Sequence, residues 1–325
     1  MIRTSICNLF GIKYPIALGG LGGGFTQPAM VAGVSEAGGF GAIGCHGMSA
    51  AEVTAASIAI REITDKPFAF NFLMFLLEEE AFTAALNQKP DAIALAWPRG
   101  DQNLKSYIDR IHDVGSKVTL MAGSVKEAVR GAEAGADVII AQGSEGGGHV
   151  GWMASMVLTP MVVDAVSPIP VLAAGGFADG RGLAAAIALG ADGALLGTRF
   201  LASEESKMHP NFKKSILDSD GHDTVLTEIP DLAARTVWPG AMSRVQRNAF
   251  IENWIGREWE IRQYQRDIEL DIEIARKEGD AENAPLSFGQ DAGLIKDIAP
   301  VKDIVIRIVE EAEDIISNKL SALIE

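Results

Sequence analysis

Ala136-Asp137-Val138-Ile139-Ile140-Ala141 runs without a break into Gln142-Gly143-Ser144-Glu145-Gly146-Gly147-Gly148-His149-Val150-Gly151. A short β-branched run that ends in a glycine-rich loop is how a strand delivers polar groups to a site. Three consecutive glycines permit positive φ and leave no side chain in a ligand's way. One imidazole, His149, stands in that opening. Downstream, Ile169-Pro170-Val171-Leu172-Ala173-Ala174 ends in Gly175-Gly176, and Gly193-Ala194-Leu195-Leu196 ends in Gly197-Thr198-Arg199. Three strand ends with glycines predict one site.

Outward from this stretch the chain alternates short apolar runs with alanine-rich helical patterns, from Tyr14 to Phe200. The predicted strands are 15–19, 40–44, 67–72, 92–96, 117–121, 137–141, 170–174 and 193–197. Helical patterns include Gln27–Ala37, Ala50–Ile63, Gln102–His112, Val125–Ala134 and Gly180–Leu189. Crossovers of this length pair strands in parallel. Eight β/α units predict a closed (β/α)₈ TIM barrel, with a doubly wound open sheet as the alternative. Glycine ends recur after strands one, two, six, seven and eight, whereas an open sheet would gather them at one switch point.

After Phe200 the pattern changes. Residues 203–285 read as a charged helical insertion or small second domain with no strand signal, and Arg244 to Lys277 as one or two amphipathic helices. The barrel is expected to comprise 1–202 and 286–325. Gly289–Ile295 leads back to a last helix at about 301–323, whose Val305/Ile308/Val309 and Ile315/Ile316 spacing suits a barrel-covering face.

Hydrophobic residues make up 48% of the 325 positions and aromatics only 6%, which fits alanine-rich helices on Val/Ile/Leu strands. A net charge of −15 argues against nucleic acid and against anionic membranes. Two cysteines, Cys7 and Cys45, make no disulfide framework, so a reducing cytoplasm is expected. No apolar run reaches about 18 residues, and the N-terminus lacks a long apolar segment. No histidine set has metal-ligand spacing.

Three groups carry candidate chemistry. Gly175-Gly176-Phe177-Ala178-Asp179-Gly180 opens a helix, and N–H groups at a helix start bind phosphate without a cationic side chain. In barrels of this type the phosphate site uses the loops after strands seven and eight, the places of Gly175-Gly176 and Gly197-Thr198. At the first strand end, Gly19 to Gly24 holds five glycines in six positions. That loop could bring backbone against a flat ring, although it resembles dinucleotide patterns only weakly. His149 suits a general acid or base. His46 is balanced between structure and function, and His112, His209 and His222 read as surface residues.

Together Gln142–Gly151, Ala174–Gly182 and Gly197–Phe200, with Gly289–Ile295, resemble the nitronate monooxygenase family, formerly 2-nitropropane dioxygenase, over almost the whole chain. The resemblance implies an FMN-dependent oxidoreductase on a TIM barrel. It implies FMN phosphate held by Gly175, Gly176, Gly197 and Thr198, and an isoalloxazine near Gly20, Leu21, Gly22, Asn71 and Gln142, with Gly147 and Gly148 in the loop beside it. His149 matches the family's catalytic histidine, which takes the carbon-bound proton of a nitroalkane or binds the nitronate. One relative has a lysine late in strand five, where this chain has Met121. The implied reaction is oxidation of an alkyl nitronate by O2 to a carbonyl compound and nitrite. Enoyl-acyl-carrier-protein reductases and an NADH:quinone reductase share these motifs, so an NAD(P)H-dependent reductase of an enoyl thioester or quinone is the alternative. A non-catalytic flavin-binding or assembly protein is the third. A small-molecule substrate and O2 are the expected partners, and homo-oligomerisation is left open.

Overall fold

Parallel strands stand where the apolar runs predict them in the computed structural model, which describes residues 1–323. They are β1 (Ile16–Leu18), β2 (Gly41–Gly44), β3 (Phe68–Leu73), β4 (Ala92–Ala96), β5 (Lys117–Ala122), β6 (Val138–Gln142), β8 (Val171–Ala174) and β9 (Gly193–Leu196). A short strand, β7 (Gly148–Val150), lies outside this set. The hydrogen-bonded order β1-β9-β8-β6-β5-β4-β3-β2 has its two ends joined by a bridge between Ala17 and Phe40. Leu18 N–H donates to the Phe40 carbonyl at 2.9 Å and Phe40 N–H donates to that of Ile16 at 2.9 Å. The sheet therefore closes into a (β/α)₈ barrel.

Alternation along each strand sorts side chains between two cores. On β3, Phe68, Phe70 and Phe72 pack outward beneath the helices, while Ala69 faces the barrel interior. On β6, Ile139 and Ala141 face out, and Val138 and Ile140 face in. The interior is narrow and filled by small residues, among them Ala17, Ala42, Ala69, Ala92 and Ala174. This accounts for the aromatic-poor composition. The first helix, α1 (Ser5–Phe10), plugs the closed end, with Phe10 stacked on Phe40 at 4.2 Å between ring centroids.

The outer ring comprises α2 (Pro28–Glu36), α3 (Ala50–Arg61), α4 (Glu79–Asn87), α5 (Leu104–Asp113), α6 (Val125–Ala134), α7 (Ser155–Val166) and α8 (Gly180–Ala188). The short α9 (Thr198–Leu201) follows β9. The last helix, α14 (Val301–Asp314), packs against α2 and α8 and so completes the ring. Its approach is close enough to require glycine: a Cβ on Gly33 would lie 2.6 Å from Val301, and one on Gly180 would lie 2.5 Å from Glu311 Cβ.

Residues 203–285 differ from the expectation of a purely helical segment. Between α10 (Pro210–Asp218) and α11 (Ile229–Ala233) runs β10 (Thr224–Thr227), and α11 is followed by β11 (Met242–Gln246). The helices α12 (Ala249–Trp254) and α13 (Glu258–Glu278) come after it. Arg244, expected to open a helix, instead sits mid-strand. The cause is tertiary pairing: β11 lies antiparallel to β10 on one side and to β7 on the other. Val245 then joins Ile229, Ala233, Phe250, Ile251, Ile261, Ile268 and Ile272 in a separate small core. The three-stranded sheet couples this segment to the glycine-rich loop after β6, and so to the barrel mouth. Among the described residues no helix is long and apolar enough to cross a membrane.

Candidate active site

Toward the carboxyl rim the inward-facing series on β3 and β6 includes a polar residue, Asn71 on one and Gln142 on the other. Asn71 Nδ2 donates to the Ala94 carbonyl at 3.3 Å, and a Cβ on Gly20 would fall 2.4 Å from the Asn71 side chain. The loop after β1 thus lays bare backbone directly on Asn71. The same loop reaches round the rim: Leu21 lies 3.4 Å from where a Gly197 Cβ would be, and the Leu21 carbonyl oxygen lies 2.7 Å from where a Gly44 Cβ would be. Around Gly22 and Gly148 a Cβ would meet nothing within 4 Å. Gln142 Oε1 is buried and has no hydrogen-bond partner among the described residues. An unsatisfied buried carbonyl is costly, so a donor from a ligand suits this position.

The loops after β6 and β8 are locked together. Gly175 and Gly176 have φ of 88° and 86°, the left-handed region that glycine enters without steric cost. A Cβ on Gly175 would lie 2.6 Å from the Gly143 carbonyl. Glu145 accepts from Ser155 N–H at 2.9 Å and from Ser155 Oγ at 3.0 Å, and the same hydroxyl lies 2.6 Å from the Gly175 carbonyl. Gly147 runs against the backbone at Phe288, while Gln290 N–H donates to the Glu145 carbonyl at 2.9 Å. The late loop is thereby tied to the site, as is Thr198, whose hydroxyl accepts from Gly289 N–H at 2.9 Å. Beside it Asp291 is buried, and burial pushes its carboxyl from near 3.8 up to about 7, against the opposing pull of Thr198 and Arg199.

At the start of α8 two N–H groups already have carboxylate partners. Asp179 accepts from Gly182 N–H at 3.1 Å, and Glu311 accepts from Gly180 N–H at 2.8 Å. The chain's own carboxylates thus take part of this helix start, which leaves the Gly175-Gly176 and Gly197-Thr198 backbone as the freer surface for an anion.

His149 is also differently placed from the open, unsupported loop residue that the sequence suggests. It lies within β7, opposite Ser243 of β11, and its side chain is largely buried. Its Nε2 is 2.8 Å from Asp231 Oδ1 on α11, and its ring stacks on Trp238 at 3.3 Å and 10°. Trp238 in turn packs on Phe75 at 4.7 Å and edge-on to Trp97 at 6.2 Å. Trp97, directly after β4, takes φ of 54°, an uncommon conformation for a bulky residue. Met121, in the position of the relative's lysine, packs against this aromatic cluster. A cation is replaced there by apolar contact. On the other face of β11, Arg244 is buried, donates from Nε to the Ser144 carbonyl at 2.8 Å and from Nη1 to Thr224 Oγ1 at 3.1 Å. It pins the glycine loop from below, and burial draws its guanidinium below the usual range.

Asp231, Trp238, Phe75 and Trp97 were missing from the sequence reading. The run Thr224-Val225-Leu226-Thr227 was the available signal for strand structure in this segment. Of the other histidines, His46 is exposed beside Cys45, His112 lies 2.8 Å from Asp137, His209 caps α10 beneath Gly279, and His222 is exposed. None joins the mouth cluster.

The family model for nitronate monooxygenase matches residues 3–96 and 86–311. A probable nitronate monooxygenase of Staphylococcus saprophyticus is 31% identical, with 98% of this chain and 99% of the relative covered. A (3aS,4S,5R,7aS)-5-hydroxy-7a-methyl-1-oxo-octahydro-1H-indene-4-carboxyl-CoA dehydrogenase of Rhodococcus jostii is likewise 31% identical, with 96% of each covered. Among solved structures, FabK from Thermotoga maritima superposes with a TM-score of 0.88 at 36% identity over the full length of both chains.

Proposed function

Because the chain belongs to the nitronate monooxygenase family, and is a flavin-dependent oxidoreductase on that ground, we propose that it binds FMN and oxidises alkyl nitronates with O2 to a carbonyl compound and nitrite. The residues present suit such a cofactor. Gln142 Oε1, buried without a partner among the described residues, is placed to accept from a ring N–H, and the bare backbone at Gly20 and Leu21 beside Asn71 leaves room for a flat ring. Gly175, Gly176, Gly197 and Thr198 would hold the phosphate through backbone N–H groups, since the Thr198 hydroxyl is turned to Gly289. Bound there, the flavin supplies the redox chemistry.

The observation that carries the reading is His149, an imidazole fixed at the mouth between a carboxylate and an indole. It binds the nitro or nitronate group, or takes the carbon-bound proton of a neutral nitroalkane. The aromatic cluster above β3, β4 and β5 keeps water from the organic part of the substrate. The test is product formation by purified protein given propionate 3-nitronate in air, with the released cofactor identified by mass. FMN, stoichiometric nitrite and oxygen uptake are the expected result. A different flavin, or no nitrite with active flavin present, would overturn the corresponding part.

A second reading is reduction of an enoyl thioester by NAD(P)H. The relative named as a carboxyl-CoA dehydrogenase supports the thioester class of substrate in this reading, though its name gives the oxidative direction.

A further inference from the structure

His149 is approached by one charged group whose origin lies outside the barrel. We propose that Asp231 is a positioning residue that fixes the tautomer of His149 and makes Nδ1, not Nε2, the atom that exchanges a proton with the substrate. The inference rests on the proposed nitroalkane and nitronate chemistry for its catalytic consequence, and on geometry alone for the tautomer.

Asp231 Oδ1 and His149 Nε2 are 2.8 Å apart, and both side chains are largely buried, at 13% and 18% exposure. An ionised carboxylate only accepts hydrogen bonds, so the contact is made in the neutral ring when Nε2 carries the hydrogen. The lone pair then stands on Nδ1, which has no hydrogen-bond partner among the described residues. A half-turn of the ring would bring a carbon, Cε1, and not Nδ1, to the place where Nε2 meets Asp231, and stacking on Trp238 at 3.3 Å holds the ring plane. Carboxylate and indole thus set two different degrees of freedom, the tautomer and the ring plane. This is the division of labour in which a buried carboxylate orients a catalytic imidazole without itself being protonated.

In the proton transfer, the C–H bond next to the nitro group breaks and its electron pair remains on the substrate as the nitronate. The proton goes to Nδ1, and the resulting imidazolium is an ion pair with Asp231. A nitronate supplied ready-made needs no such transfer. Asp231 should therefore matter for nitroalkanes and much less for nitronates. Its placement explains why the segment after β9 is joined to β7 through β11: the strand pairing carries α11 to the histidine.

The experiment combines spectroscopy and kinetics on the full chain. Long-range 1H–15N spectra of histidine-labelled, flavin-free protein report which ring nitrogen carries the hydrogen, with His149 assigned by its loss in His149→Asn. The wild type is expected to show hydrogen on Nε2. In Asp231→Asn, whose amide can also donate, the Nδ1–H form should appear. With flavin bound, Asp231→Asn should lower turnover of a neutral nitroalkane by about 10²-fold, the usual scale of a general base, and leave the preformed nitronate near wild type. Asp231→Glu, keeping the charge, should restore part of the loss. Hydrogen on Nδ1 in the wild type, or full nitroalkane turnover in Asp231→Asn, would overturn the proposal. If the wild type turns over neither substrate, the nitronate reading fails and the spectrum alone decides the role of Asp231.

Discussion

Gln142, at the end of β6, and His149, in β7, flank one loop, and each gives a separate prediction. His149→Asn should keep FMN, because the proposed flavin contacts lie on other residues, while turnover of a neutral nitroalkane falls by about 10²- to 10⁴-fold. Absorbance of the purified variant and its nitrite production measure the two quantities, and full activity would remove the role. Gln142→Leu fills the same space without a carbonyl. Since the native oxygen is buried and unpartnered among the described residues, the variant should fold normally but hold FMN less tightly by about 1–3 kcal/mol, measured by flavin titration. Unchanged affinity would show that no ligand donor reaches this oxygen. His149 stood out in the sequence as an imidazole in a glycine-rich opening after a β-branched run, whereas Gln142 came only through the family resemblance. Asp231 was not legible there: it lies 82 positions from His149, and neither periodicity nor spacing connects them. Trp238 was hidden in the same way, in a loop without a local pattern.

Among the elements, the loops after β6 and β8 form the most constrained pair. Gly175→Ala meets two obstacles at once, a left-handed backbone and a Cβ 2.6 Å from the Gly143 carbonyl. It should destabilise the protein by at least about 1 kcal/mol and weaken flavin retention, as measured by thermal unfolding and by flavin content after dialysis. Wild-type stability in that variant would contradict the packing described. The eight barrel strands were readable because each is a buried apolar run bounded by turn residues. β10 and β11 were not, although Thr224-Val225-Leu226-Thr227 is β-branched. Neighbouring charges on 203–285 drew the reading toward helices, and the burial of Arg244 against Ser144 comes from tertiary pairing that no local propensity encodes. The start of α8 also looked like an anion site in sequence, and Glu311, far along the chain, takes part of it.

Over the whole molecule, the late segment closes the barrel ring with α14 and delivers Asp291 beneath the loop after β9. Burial pushes Asp291 up to about 7, so between its ordinary value near 3.8 and about 7 the native protein holds a proton that the unfolded chain releases. Stability must therefore fall as pH rises through that window, by about 1.4 kcal/mol per pH unit and on the order of 4 kcal/mol in all. Asp291→Asn should abolish this slope, as read by urea unfolding of flavin-free protein at several pH values. Parallel pH curves for the two proteins would contradict it. At this scale the fold was legible from strand count and glycine placement, whereas the chemistry was legible only to the level of a flavin enzyme. The motifs proposed to hold a flavin are common to relatives with different names, and two of the residues gathered around His149, Asp231 and Trp238, come from the segment that sequence describes least.

The central claim is that the site takes electrons from a nitronate. The most direct measurement is anaerobic stopped-flow absorbance of the flavin-loaded protein, mixed separately with propionate 3-nitronate and with NADH or NADPH. Loss of oxidised-flavin absorbance with the nitronate, and none on that timescale with the nicotinamides, is the predicted result. Rapid bleaching by a nicotinamide with the nitronate inert would contradict the claim and move the protein to the thioester or quinone reductases.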